Sequence, residues 1–109
     1  PEVFIGWLED KQSTVIVAER EQGQLLGVAM CHHAGHITLN YVSPDARFAG
    51  ISSALVSALE AVLKGHGLRH VSLFSTRTAH AFYLARGYRD VIDAGAASNE
   101  LKMQKELPV

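Results

Sequence analysis

The run from Asn40 to Gly67 constrains this chain most. A strand ends near Val42, a short turn carries Pro44 and Arg47, and Gly50 opens a helix that lasts to Lys64. Ile51, Ala54, Leu55, Ala58, Leu59 and Val62 recur at helical spacing. Gly65-His66-Gly67 then stops the helix, as glycine does just past a C-terminus. Leu68 to Phe74 follows as a strand with Val71 and Leu73 on one face. Strand, helix and strand in this order predict a parallel crossover, which is right-handed.

The turn into that helix is chemically suggestive. The first N–H groups of any helix have no partner within it. The aligned peptide dipoles add about half a positive charge there. Gly50 lets a ligand approach the backbone closely, and Ser52 and Ser53 add hydroxyl donors. Such a site suits a phosphate or pyrophosphate. The plainer reading is a turn without a ligand, in which Gly50 only relieves crowding.

The rest of the chain frames this unit. Val3, Phe4, Trp7 and Leu8 make one apolar face of a short helix over Glu2 to Asp10. Lys11-Gln12-Ser13 is a turn, and Thr14 to Glu19 alternates as a strand. Glu21 to Gln24 is a hairpin turn. Leu25 to His32 is the next strand, bulged near Gly27. Ala34-Gly35 turns the chain into His36 to Val42, with Ile37, Leu39 and Tyr41 on one face and Thr38 and Asn40 on the other. After Phe74, Ser75-Thr76-Arg77-Thr78 offers hydroxyl caps for a helix from about Thr78 to Arg86, which Gly87 ends. Tyr88 to Ile92 is a short strand, Asp93 to Asn99 a loop, and Glu100 to Leu107 a closing strand.

Composition removes several classes of function. The 109 residues make one domain, spanning 1–109, with a small core. A net charge of −1 without a basic block leaves no electrostatic footprint for nucleic acid. No apolar run approaches the length that crosses a bilayer. Cys31 is the one cysteine, so there is no disulfide framework, and a reducing, cytoplasmic setting is expected. The first residue is Pro1, and no signal segment follows it.

Two motifs together carry a resemblance. Arg47-x-x-Gly50-x-Ser52 follows one strand, and Ala79-x-x-Phe82-Tyr83-x-x-x-Gly87-Tyr88 follows the next. This pairing resembles the GCN5-related N-acetyltransferase (GNAT) family, and the likeness covers nearly all of the chain. Ser52 stands where the family has Gly or Ala, and Thr76 stands where it often has Asn. The resemblance implies an α/β, three-layer αβα acyl-CoA N-acyltransferase fold. Its sheet is mixed and mostly antiparallel, with one central parallel crossover. The family's first strand and early helices are missing from this chain, and Pro1 to Asp10 matches the end of its second helix.

The resemblance also implies a chemistry: transfer of an acetyl group from acetyl-CoA to an amine, with no metal. The amides near Phe48, Ala49, Gly50, Ile51, Ser52 and Ser53 would hold the pyrophosphate beside Arg47. The strand end at Tyr41 and Val42 would pair with the pantetheine arm, the Val42 N–H polarising the thioester carbonyl. Thr76 and Phe82 would complete the cofactor site. Tyr83 would be the general acid for the departing thiolate. The residue type alone also allows Tyr83 as a core aromatic. Many family members use a Glu on the third strand as base. Here that strand carries His36, Thr38 and Asn40, of which only His36 can take a proton, and it stands at the far end. Water, or an already neutral amine, is the simpler expectation.

Cys31, His32, His33 and His36 invite a metal reading, but strand neighbours point to opposite faces. Cys31 reads as a small core residue. Two other functions stay open. One is a CoA-binding module of the same fold that does not turn over. The other is an unrelated nucleotide-binding α/β domain, against which the early hairpins argue. With the family's first strand missing, the strand from Thr14 would present an open edge, so a homodimer is possible. The acceptor amine, small molecule or peptide, is not legible.

Overall fold

A computed structural model describes residues 3–20, 23–44, 50–92 and 100–108. The elements are β1 (Val3–Glu9), β2 (Ser13–Arg20), β3 (Leu25–His32), β4 (His36–Val42), α1 (Ile51–Gly65), β5 (His70–Thr76), α2 (His80–Ala85), β6 (Arg89–Asp90) and β7 (Glu100–Glu106). They form one seven-stranded sheet in the order β1-β2-β3-β4-β5-β7-β6. Every pairing is antiparallel except β4 with β5, the expected crossover around α1.

The first ten residues differ from the sequence reading. They form a strand, not the end of a helix, and pair with β2 from Val3↔Arg20 to Glu9↔Thr14. Apolar residues at 3, 4, 7 and 8 fit a helical face. The same segment can also place Ile5 and Trp7 on one side of a strand, opposite Ala18 and Ile16. A seven-residue ladder and the hairpin turn decide for the strand. Asp10 Oδ1 accepts the N–H groups of Gln12 and Ser13 at 2.7 and 2.8 Å, an Asx turn that those residue types favour. The edge expected at β2 is therefore paired, and the argument for a homodimer loses that support.

A second difference lies in β4. Met30 pairs with Leu39 but Cys31 pairs with Ile37, so Thr38 is an extra residue, a β-bulge. The bulge shifts the alternation by one. Ile37 and Asn40 share the face under the helices, and Leu39 and Tyr41 lie on the other, not on the face of Ile37 as strict alternation implies. The bulge near Gly27 falls where expected, with Ala18↔Gly27 followed by Glu19↔Leu25.

One face of the sheet carries the core. Leu55, Val56, Leu59 and Leu63 of α1 are fully buried in one cluster with Ile16, Ala18, Ala29, Val71 and Met103. Each such side chain contributes about 1.5–3 kcal/mol relative to exposure. Gly27 sets the distance of the helix. A Cβ there would stand 2.8 Å from the Tyr41 carbonyl oxygen and 2.9 Å from Leu55 Cδ1. Helix α2 lies on the same face, since Arg86 just after it donates to Ser53 and Ser57 of α1 at 3.0 and 2.6 Å. Tyr88 donates to Glu60 at 2.8 Å, and Lys105 pairs with Glu60 at 3.2 Å, fastening α1 to β7.

Candidate active site

Strands β4 and β5 pair only at His36↔Ser72 and Ile37↔Leu73, and then diverge. Beyond that point β4 has a free flank. Ser43 N–H donates to Leu26 O on the β3 side. Backbone direction alternates along a strand, so the N–H groups of Val42 and Asn40 face the gap left by β5. The gap holds a recess of about 140 Å³ between Leu39 and Asn40 on one wall and Phe74, Ser75 and Thr76 on the other. It opens into a larger cleft of about 660 Å³ bounded by Tyr41 and Val42, by Gly50, Ser52 and Ser53, and by Phe82 and Tyr83.

Tyr83 stands where the two spaces meet and lines both. Its ring is 6% exposed and packs edge-on against Tyr88 at 5.5 Å. Asn40 Nδ2 donates to its hydroxyl oxygen at 3.2 Å. Burial pushes the phenol pKa above its usual value, and the Asn40 bond only partly offsets this. Tyr83 is thus a protonated donor at neutral pH. The Asn40 N–H occupies one lone pair and leaves the O–H free to point into the cleft. Asn40 Oδ1 is buried and has no partner among the described residues. Sequence reasoning set Asn40 aside because it cannot be a base. The bulge at Thr38, which turns it toward Tyr83, has no signature in the sequence.

The helix N-terminus has the expected character. Gly50 is the N-cap of α1, with φ 74° and ψ 13°, and no side chain caps the helix. A Cβ at Gly50 would meet nothing within 4 Å. The left-handed backbone therefore requires glycine there, not crowding, and the space beside it is open. No acidic side chain lies in the first turn to compete with an anion. Ser52 lines the cleft, and Ser53 lines it while accepting from Arg86. Arg86 brings a cation beside the first turn, with its guanidinium 6.0 Å from the Phe82 ring centroid. Nothing in its sequence position signals this. Ile51 is in the core, so only its backbone can serve a ligand. Thr76 Oγ1 accepts the Ala79 N–H at 3.2 Å and thus braces the entry to α2 from the wall of the recess. Arg47, Phe48 and Ala49 lie outside the described residues.

The remaining candidates fall away from the cleft. His36 sits at the closed end of the splay, bonded to Ser72 Oγ at 2.8 Å, and burial lowers its pKa. Cys31 is fully buried, and burial raises its thiol pKa. His32 bonds the Ala34 N–H while His33 reaches Thr14, so these two neighbours serve different partners.

A splayed parallel strand pair, an uncapped helix N-terminus and a buried tyrosine thus line one connected cleft. The acetyltransferase (GNAT) domain family model matches residues 2–106, and the chain belongs to that family. No curated protein sequence matches it. Among solved structures, a nourseothricin acetyltransferase superposes with a TM-score of 0.78 at 23% identity, over 92% of this chain and 68% of that one. The PaiA N-acetyltransferase of Thermoplasma acidophilum, solved with coenzyme A, gives 0.77 at 17% identity, over 88% and 62%. An acetyltransferase of Bacillus cereus gives 0.74 at 26% identity, over 92% and 80%. The chain thus spans between about three-fifths and four-fifths of these proteins' lengths. Among the described residues no helix is long and apolar enough to cross a membrane.

Proposed function

We propose that this chain transfers an acetyl group from acetyl-CoA to an amine by direct attack, with Tyr83 as general acid. The observation that carries the reading is the Tyr83 hydroxyl, held by Asn40 at the junction of recess and cleft. The pyrophosphate lies against the α1 N-terminus at Gly50, with Ser52, Ser53 and Arg86 beside it. The pantetheine arm runs along the free flank of β4 at Tyr41 and Val42, between that strand and Phe82. The Val42 N–H donates to the thioester carbonyl oxygen, where negative charge grows as the amine adds. The nitrogen forms its bond to the carbonyl carbon, the C–S bond breaks, and the thiolate takes the Tyr83 proton. The amine proton leaves to solvent, and Tyr83 is reprotonated from there. The lone, buried Cys31 thiol fits a reducing cytoplasm.

One observation favours a module that binds CoA without turnover: β4 offers no carboxylate to take the amine proton. Calorimetry with acetyl-CoA tests the shared part of both readings. Gly50→Glu places a carboxylate at the pyrophosphate position and is expected to abolish binding while the circular dichroism stays native. Unchanged affinity in that variant refutes the placement. Turnover with a panel of primary amines then separates enzyme from module.

A further inference from the structure

A second cluster lies at the other end of α1. Glu9 ends β1, Thr14 stands in β2, His33 lies in the β3–β4 turn, and His66 caps the C-terminus of α1. Glu9 Oε1 is 3.0 Å from His66 Nε2 and 3.5 Å from His33 Nε2. Thr14 Oγ1 is 3.1 Å from Glu9 Oε1 and 2.7 Å from His33 Nε2. The two imidazoles stack with centroids 4.0 Å apart and planes 23° apart. The donor atoms of Glu9, His33 and His66 all lie within 4.8 Å of one another.

His33 Nδ1 faces the Lys11 carbonyl oxygen at 3.3 Å, which can only accept, so Nδ1 carries a proton and Nε2 faces the junction. Thr14 Oγ1 meets that nitrogen, and His66 Nε2 meets Glu9 Oε1, so an ion binds here by replacing the protons these contacts share. A backbone carbonyl on the far ring nitrogen is also the arrangement that orients histidine ligands on metals.

We propose that Glu9, His33 and His66 form a site for a zinc-class divalent cation. Two imidazole nitrogens and one carboxylate oxygen suit zinc and its neighbours rather than calcium or magnesium. Ligands about 2.0–2.1 Å from a tetrahedral ion stand roughly 3.3 Å from each other. Glu9 Oε1 stands 3.0 and 3.5 Å from the two nitrogens, and the stacked rings must turn from their 23° interplanar angle for both lone pairs to meet one ion. Glu9 and His66 are 44% and 41% exposed, which gives an ion a route in and leaves its fourth position to solvent. The site is remote from the acyl-transfer cleft. The length of α1 separates His66 from Gly50 by about 24 Å. The bound ion is a clamp. It ties the edge strand β1 to the β3–β4 turn and to the end of the main helix. It stands independently of the catalytic proposal.

The test uses the tag-free, chelator-treated chain in equilibrium dialysis against zinc, with cobalt as a spectroscopic substitute. One ion per chain is expected, with the visible bands of tetrahedral cobalt and a zinc-dependent rise in Tm. His66→Ala, at an exposed ligand, is expected to fold and to lose at least the roughly 10- to 100-fold in affinity that even an outer-shell partner carries. His70→Ala, outside the trio, is expected to bind as the wild type does. Failure to bind zinc stoichiometrically at low-micromolar free metal overturns the proposal and leaves the junction to a proton. Equal affinity in His66→Ala overturns it as well.

Discussion

Replacing Tyr83 by Phe separates catalysis from packing. The ring stays, and so does its edge-on contact with Tyr88. What leaves is the hydroxyl that accepts from Asn40 at 3.2 Å. Asn40 Oδ1 already has no partner among the described residues, so the variant leaves this half-buried amide without its one side-chain bond. Leaving such a group unpaired costs about 1–3 kcal/mol. In a domain of this size each kcal/mol is worth about 4–8 °C in Tm, so the variant is expected to melt several degrees lower. Adding Asn40→Leu removes the stranded amide and is expected to recover most of the loss, since removing both partners is close to neutral. Turnover behaves differently. Charge on the departing sulfur grows only as the thioester breaks, so the lost proton donor lowers kcat and leaves KM nearly unchanged. General acids contribute about 10²–10⁴-fold, and with water as a substitute donor we expect a loss of at least roughly tenfold. The double variant regains stability and not rate. The assay is release of free CoA with an amine acceptor, or slow hydrolysis of acetyl-CoA, at saturating cofactor. Wild-type turnover in Tyr83→Phe, measured where chemistry limits the rate, refutes the acid role and leaves Tyr83 as a core aromatic.

Two further outcomes are expected. Gly27→Ala drives a Cβ to 2.8 Å from the Tyr41 oxygen and 2.9 Å from Leu55 Cδ1. Overpacking of this kind costs about 1–3 kcal/mol, and the strain falls where α1 meets β4, so denaturant melts and acetyl-CoA calorimetry should both weaken. An unchanged affinity would separate helix spacing from cofactor binding. The second concerns alkaline pH. Burial raises the Tyr83 pKa, and burial together with the Glu60 carboxylate raises that of Tyr88. Both native phenols keep their protons when the unfolded chain begins to lose its own near pH 10. The unfolded state then binds fewer protons, so stability is full below about pH 10 and falls above it. Thermal melts across that range check this, and Tyr88→Phe should flatten the decline. A decline of equal steepness in that variant would remove Tyr88 from the explanation.

Local chemistry was legible in the sequence and long-range geometry was not. The crossover around α1 and the glycine at its start follow from spacing and turn residues, whereas the role expected of Tyr83 comes from the family resemblance. Residues 3–10 misled because Trp7 and Leu8 fit a helical face, and only pairing with β2 decides for a strand. The face of Asn40 was assigned wrongly because alternation assumes one residue per rung, and Thr38 breaks that rule. Arg86 beside the α1 N-terminus and the convergence of Glu9, His33 and His66 join residues 24 to 57 positions apart. No local pattern reports such meetings.

The bulge at Thr38 has a consequence for how this chain compares with others of different length. Strand β4 holds one residue more than its β3 partner needs between Ile37 and Leu39. Removing that residue would restore a regular ladder and still leave Ile37 and Asn40 on the helix side, since Cys31↔Ile37 and Met30↔Leu39 would simply become adjacent rungs. A strand interior is ordinarily the last place to accept a change of length. Here it is a place where a gap costs no rephasing. A relative one residue shorter at this point would align with a deletion inside β4, and its residue matching Asn40 would still face the tyrosine.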